Sequence, residues 1–155
     1  MENLAIARIF AEIGDLLEIK GENPFKIRAY RNASETIAHA TEKLAYLTEE
    51  ELRAIPGIGK DLASKIREIA ETGEARYHRD LLEQFPPTIL DLLHLQGVGP
   101  KTVALLYTEL DIKTIEELEA ACGDGRVRAL KGLGPKKEQL ILRACAERKQ
   151  LPGWS

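Results

Sequence analysis

The stretch Ile55-Pro56-Gly57-Ile58-Gly59-Lys60 places one apolar residue between two glycines and follows them with a cation and a helical pattern. The chain repeats this arrangement in Leu95-Gln96-Gly97-Val98-Gly99-Pro100 and again in Leu130-Lys131-Gly132-Leu133-Gly134-Pro135. The first glycines of successive copies lie 40 and 35 residues apart, which is the period of a repeated small helical unit. We therefore interpret the three copies as turns of one type and as the main functional signal of the sequence.

Length and composition are those of an ordinary globular protein. With 155 residues, 44% of them hydrophobic and 30% charged, the chain suits one compact domain or two small ones. No apolar run approaches the ~20 residues of a membrane span, and the N-terminus lacks the pattern of a secretion signal. Cys122 and Cys145 have no metal-ligand spacing and fit two reduced structural thiols better than a disulfide. We expect a cytoplasmic monomer with no membrane association and no zinc site.

The charge distribution leaves room for a local basic surface. The net charge is −3, with −4 in residues 1–85 and +1 in residues 86–155. Within the acidic half, the segment from Lys20 to Arg31 carries four cations against the single anion Glu22. Because an acidic protein can still present a basic groove, the net charge does not exclude a nucleic-acid partner.

The hydrophobic pattern predicts an all-α fold, since no stretch shows sustained strand alternation. Thr48 with Glu51, and Thr114 with Glu117, have the spacing of capping boxes that begin short helices. Pro86-Pro87 marks the predicted boundary between two small helical subdomains, 1–85 and 86–155. Near the end of the chain we expect Trp154 to be a partly exposed or loosely docked ring. The other predicted helices cover about 2–20, 23–39, 60–73, 75–84, 88–94, 100–109 and 135–149.

A Gly-x-Gly turn between two helices provides an anion site. Glycine tolerates a positive φ, and the helix that follows presents unpaired N–H groups and its positive dipole end. The natural ligand is a nucleic-acid backbone bound without sequence preference, because phosphate contacts carry no base readout. The alternative is that each turn only joins two helices, and the third copy is the weakest phosphate site. The apolar residues expected to plug the turns into the core are Ile58, Val98 and Leu133, and the first-turn lysines are Lys60, Lys101, Lys136 and Lys137.

Four stretches resemble a known family. The pattern is similar to helix-hairpin-helix proteins in general, and more closely to the amino-terminal lyase and fingers region of family X DNA polymerases. Asn23-Pro24-Phe25-Lys26-Ile27-Arg28-Ala29-Tyr30-Arg31 resembles the entry to the second helix, and Ile55 to Lys65 resembles the first hairpin of the small lyase domain. Leu93 to Lys101 and Ile112 to Leu118 resemble the adjoining fingers region. The first two stretches are specific to the polymerase family, whereas the hairpins alone would be generic. The match covers nearly the whole chain.

The resemblance implies roles for individual residues. In that family the small domain grips the 5′-phosphate side of gapped DNA, and a lysine after the first hairpin forms a Schiff base with the abasic sugar and expels it by β-elimination. Lys65 occupies that lysine's place. Lys26 matches a 5′-phosphate ligand, Phe25 matches a ring that stacks on a base, and Tyr30 and Arg53 match residues that line the pocket.

The resemblance also implies a monovalent cation, Na⁺ or K⁺, bound by backbone carbonyl groups at the hairpins. One ion would lie among Arg53, Ile55 and Ile58, and another among Leu93, Leu95 and Val98. The full predicted DNA-binding set comprises Phe25, Lys26, Arg28, Tyr30, Arg53, Gly57, Ile58, Gly59, Lys60, Gly97, Val98, Gly99, Lys101, Gly132 and Gly134.

Two features bear on activity. Asp61 precedes Lys65 by four residues, where a family member carries a cation, and an ion pair at this spacing favours the ammonium form over the neutral amine that a Schiff base requires. The chain ends where the family's palm would begin, so we expect no DNA polymerisation by this chain alone.

Three hypotheses stay open: a sequence-independent DNA-binding module for gaps or 5′-phosphate ends, an abasic-site lyase that uses Lys65, and a protein-interaction scaffold. Lys65 can alternatively be a solvated lysine or a DNA phosphate contact, and without the resemblance Phe25 would be interpreted as a core residue.

Overall fold

In a computed structural model, which describes residues 1–150, the secondary structure is entirely helical. The all-α prediction is therefore confirmed for the described chain, while Trp154 lies outside it. None of the helices within residues 1–150 combines the length and apolar character needed to cross a bilayer. The helices are α1 (Asn3–Lys20), α2 (Pro24–His39), α3 (Glu49–Arg53), α4 (Lys60–Thr72), α5 (Arg76–Glu83), α6 (Ile89–Leu93), α7 (Pro100–Leu110), α8 (Ile115–Gly123) and α9 (Pro135–Lys149), with a 3₁₀ turn at Leu44–Tyr46.

The chain divides into two compact units. The first comprises Met1–Gln84, and the second begins at Phe85. The predicted boundary of 85/86 lies one residue away, at the start of Pro86-Pro87. α1 to α5 build the first unit, and α6 to α9 build the second.

Short-range polar contacts fix where several helices begin. The side chain of Asn23 accepts a hydrogen bond from the Phe25 N–H at 2.8 Å, and Pro24 takes the first helical position of α2. Both predicted capping boxes form, Thr48 with Glu51 and Thr114 with Glu117. These caps satisfy N–H groups that a helix cannot pair internally, so the local sequence determines these helix starts.

The core of the first unit lies mainly between α1 and α2. Phe10, Ile13 and Leu17 of α1 have no exposed surface. The ring of Phe10 lies 5.7 Å from that of Tyr30 on α2, centroid to centroid. Ile66 of α4 is also fully buried. α4 is thus packed into the unit on one face, and this packing fixes the direction in which its remaining side chains point.

The second unit buries a carboxylate that the sequence analysis did not single out. Glu138, in the first turn of α9, is 3% exposed. It accepts hydrogen bonds from the Arg128 backbone N–H at 2.8 Å and from Arg128 Nε at 3.0 Å. A buried carboxylate is stable only when its oxygens are paired in this way. Glu138 therefore ties the start of α9 to the segment that precedes the third glycine turn.

Both cysteines of the second unit are free and buried, as predicted for structural thiols. Burial raises the pKa of the Cys122 thiol to about 11 and that of the Cys145 thiol to about 12. Both groups are therefore protonated at neutral pH and are poor nucleophiles.

Candidate nucleic-acid interface

The first two glycine turns have the same backbone structure. In the first turn, the Ile58 N–H donates to the Ile55 carbonyl at 3.0 Å, and Gly57 has a φ of 90°. In the second, the corresponding bond from Val98 to Leu95 is 3.2 Å long, and Gly97 has a φ of 79°. The second glycines also agree, with φ values of −89° at Gly59 and −90° at Gly99. A positive φ at the first glycine is the reason that a residue with a Cβ is disfavoured there.

The third turn differs from the other two. Gly132 has a φ of 87°, like its counterparts, but Gly134 has a φ of 114°. Leu133 is only half-buried, whereas Ile58 is 2% and Val98 is 6% exposed. The prediction that the central apolar residue plugs each turn into the core is therefore confirmed for the first two turns and wrong for the third. The backbone at Gly134 therefore differs from that at Gly59 and Gly99.

The helices after the first two turns begin without a side-chain cap. Gly59 and Gly99 occupy the N-cap positions of α4 and α7 and provide no side-chain acceptor for the first N–H groups. Lys60 and Lys101, in the first turns of these helices, are exposed. Uncapped N–H groups, a positive dipole end and an exposed ammonium group together form an anion-binding arrangement.

Lys65 precedes the fully buried Ile66 on α4. Its side chain is 14% exposed, and its Nζ lies 2.9 Å from the Asp61 carboxylate. The predicted pair at this spacing is therefore confirmed. The same Nζ lies 5.0 Å from the centroid of the Tyr77 ring. Lys65 is consequently held between a carboxylate and an aromatic ring, and it is not a freely solvated lysine.

Tyr77 of α5 is the site residue that the sequence analysis missed. Its ring stacks on Tyr30 with centroids 5.9 Å apart and an interplanar angle of 19°. The Nζ of Lys26 lies 5.1 Å from the same ring centroid. A side-chain hydrogen-bonding interaction with Tyr77 is the main cause that raises the pKa of Lys26 above its usual value. No sequence spacing relates α5 to Lys26 and Lys65, so only the packing of the helices reveals Tyr77.

Tyr30 is placed differently from the prediction that it lines a DNA-binding pocket. Its side chain is 3% exposed and lies between the rings of Phe10 and Tyr77. Burial raises the pKa of its hydroxyl, which therefore stays neutral. The correction is that Tyr30 supports Tyr77 from beneath, because a ring packed on both sides has almost no surface left for a ligand.

Phe25 lies in the first turn of α2 and is 75% exposed. The structure therefore excludes the reading of Phe25 as a core residue. The guanidinium carbon of Arg28 lies 5.8 Å from the centroid of its ring. Lys26, Arg28 and Arg53 are exposed as well, so these predicted contact residues are accessible to a ligand.

Comparison with known proteins agrees with these features. The family described as Helix-hairpin-helix domain matches residues 1–75, and the family described as SAM-like Helix-hairpin-helix tandem matches residues 89–147. The chain is 34% identical, over 152 residues and 98% of its length, to the DNA polymerase/3′-5′ exonuclease PolX of Bacillus subtilis (strain 168). It spans 26% of the length of that protein, in its amino-terminal part. The chain therefore belongs to the helix-hairpin-helix class and is similar over nearly its whole length to the amino-terminal part of a family X DNA polymerase.

Proposed function

We propose that this chain binds DNA through backbone phosphates, without sequence preference, at the first two glycine turns. The observation that carries the proposal is the shared geometry of the two turns, each followed by an uncapped helix start and an exposed lysine. Backbone N–H groups and lysines at such positions bind phosphate oxygens and do not read bases. The relationship to a DNA polymerase supports the same partner.

The first unit would recognise a gap or a 5′-phosphorylated end. Phe25 is exposed at the first turn of α2, and the adjacent Lys26 carries a positive charge beside Tyr77. An exposed ring can stack on the last base of an interrupted strand, which contributes about 1–3 kcal/mol per base. Lys26 would then pair with the terminal phosphate, while Arg28 and Arg53 follow the backbone.

Replacing both Lys60 and Lys101 by glutamine is expected to weaken DNA binding and its salt dependence. Each lost phosphate contact lowers the slope of log affinity against log salt concentration by about 0.9. Fluorescence anisotropy with labelled gapped DNA of two unrelated sequences, at several salt concentrations, measures both quantities. The matched control replaces Lys43 and Lys113, whose ammonium groups face Glu2 and Asp111.

The control variant should retain the parental slope and affinity for both sequences. Equal slopes in the parent and in the Lys60/Lys101 variant would contradict the assignment of these lysines. A parent that shows no anisotropy change at low salt would contradict DNA binding itself. The turns would then serve only to brace helices, as in a protein-interaction scaffold.

The second candidate is abasic-site lyase activity at Lys65, and the observation in its favour is the partly buried position of this lysine. The Lys65 amine would add to the aldehyde carbon of an abasic sugar with loss of water. The resulting imine would lose a proton from C2′, and the 3′-oxygen would leave with its phosphate. Hydrolysis would then return the amine. Borohydride reduction of the imine leaves a covalent adduct, which provides the test.

Replacing Asp61 by asparagine is expected to increase the rate of this trapping at neutral pH by about twofold. The Asp61 carboxylate attracts the ammonium form of Lys65, and the reaction needs the neutral amine. The size of the expected increase follows from the ~0.2–0.5 kcal/mol that an ion pair at this spacing on a helix surface contributes. The Asp61 side chain is 79% exposed, so this surface value applies. Single-turnover trapping measures the rate, with Asp80→Asn on α5 as control. An unchanged or lower rate in Asp61→Asn would show that the pair does not restrain Lys65.

We also propose that a monovalent cation, Na⁺ or K⁺, binds the first two turns. The donors would be the carbonyl groups of Arg53, Ile55 and Ile58 in one turn, and of Leu93, Leu95 and Val98 in the other. Ile55 and Leu95 each accept one N–H bond within the turn, and a carbonyl oxygen has a second lone pair. Backbone carbonyl donors carry no formal charge. Neutral carbonyl groups are suitable ligands for a monovalent cation. The bound cation would add positive charge beside the bound phosphate.

A further inference from the structure

The Tyr77 ring is the meeting point of three helices in the first unit. Lys26 and Tyr30 come from α2, Lys65 comes from α4, and Tyr77 itself lies in the first turn of α5. Both ammonium nitrogens lie within 5.1 Å of the ring centroid. Tyr30 stacks on the ring with nearly parallel planes. The Tyr77 ring is therefore in contact with Tyr30 and lies close to both ammonium groups.

Two ammonium groups near one ring repel each other, so attractive contacts must offset this repulsion. The negative face of an aromatic ring attracts both cations. The Asp61 carboxylate pairs with Lys65, and Glu22 also interacts electrostatically with Lys26. A terminal phosphate carries more negative charge than either carboxylate, so it would be attracted by both ammonium groups. Tyr77 can serve here in two ways, by packing in the core or by setting the positions of Lys26 and Lys65.

We propose that Tyr77 is a positioning residue, which holds the ammonium groups of Lys26 and Lys65 together so that both engage one terminal phosphate of an interrupted DNA strand. This inference rests on the proposed binding of 5′-phosphorylated DNA and assigns a role to a residue outside the lysine set itself. Tyr30 fixes the plane of the Tyr77 ring from the core side. The ring then fixes where two lysines from different helices can place their charges.

The position of Tyr77 favours this role over simple packing. Tyr77 is half-buried, and both ammonium groups lie within 5.1 Å of its ring centroid. Tyr77 also stabilises the charged form of Lys26, because a side-chain hydrogen-bonding interaction with Tyr77 is the main cause that raises the pKa of that lysine. A leucine would fill similar space in the core but would attract neither ammonium group. Phenylalanine would keep the ring and lose the hydroxyl.

The experiment compares affinities of the full chain for gapped DNA with a 5′-phosphate and with a 5′-hydroxyl at the gap. We expect Tyr77→Leu to reduce the ratio of the two affinities by about five- to thirtyfold, the effect of losing two cation–ring contacts. Tyr77→Phe should reduce it less, because the ring remains. Tyr46→Leu, at an exposed tyrosine elsewhere in the same unit, should leave the ratio unchanged.

A double-mutant cycle with Lys26→Gln separates positioning from packing. If Tyr77 acts through Lys26, Tyr77→Leu will change the phosphate preference much less when Lys26 is already absent. Equal effects in both backgrounds, or a parental ratio in Tyr77→Leu, would overturn the inference. A parent that binds both DNAs equally would overturn it too, while leaving backbone binding intact. A parent that binds neither would remove the proposed function together with the inference.

Discussion

Replacing Lys65 by alanine is expected to abolish the covalent adduct that borohydride traps with 5′-abasic DNA. The reason is that the imine requires a primary amine, and Lys65 on α4 supplies one. Only 14% of its side chain is exposed. This amine lies beside Tyr77 and Lys26, next to the surface that we propose to bind DNA. Denaturing electrophoresis of the reduced reaction measures the adduct, and anisotropy on the same samples measures DNA binding.

Lys43→Ala is the matched control, because it removes a lysine of the same unit whose ammonium group faces Glu2. It should give the parental yield of adduct. An equal yield from Lys65→Ala would assign the nucleophile elsewhere, and Lys26, whose nitrogen lies beside the same Tyr77 ring, is the next variant to test. A parent that forms no adduct would leave binding as the only function of the site.

Replacing Phe10 by alanine is expected to destabilise the first unit by about 3–5 kcal/mol. Phe10 has no exposed surface and packs against the ring of Tyr30, so its removal leaves a cavity where α1 meets α2. The same loss should loosen Tyr30 and, through it, the Tyr77 ring. Urea unfolding of the full chain, followed by circular dichroism, measures the change. A loss below about 1 kcal/mol would contradict the assignment of Phe10 to the centre of this core.

Phe25→Ala provides the comparison, because the same substitution falls on a ring that is 75% exposed. We expect its free energy of unfolding to stay within about 0.5 kcal/mol of the parent. If Phe25 stacks on a base, its affinity for gapped DNA should fall instead, by about 1–3 kcal/mol. A destabilisation like that of Phe10→Ala would show that Phe25 belongs to the core.

Much of the secondary structure could be predicted because its causes are local. Asn23 caps α2 through an N–H only two residues away, and Thr48 caps α3 through one three residues away. The pair of Asp61 and Lys65 follows from four-residue spacing on one helix. Glycine at Gly57 and Gly97 permits the positive φ that both turns adopt. In each case the interacting groups are close in the chain, so spacing alone is informative.

The third turn shows where such reasoning fails. Its sequence repeats the Gly-x-Gly pattern, but Gly134 adopts a φ of 114° where Gly59 and Gly99 lie near −90°. Glycine permits both conformations at little cost, so the local sequence cannot select between them. In this unit, the buried Glu138 binds the backbone and side chain of Arg128 and holds the start of α9 against the preceding segment. That contact is a tertiary one.

The sequence by itself determined the helices, the capping boxes, the positions of the three glycine turns and the pairing of Lys65 with Asp61, whereas the structure showed that only two of these turns are equivalent. Only the tertiary structure decided that Phe25 is exposed, that Tyr30 is buried, and that Tyr77 gathers Lys26 and Lys65 around one ring. The physical reason is range. Hydrogen bonds and ion pairs within a turn or helix depend on spacing along the chain, whereas the Tyr77 cluster depends on how α2, α4 and α5 pack, and packing is set by side chains distant in sequence.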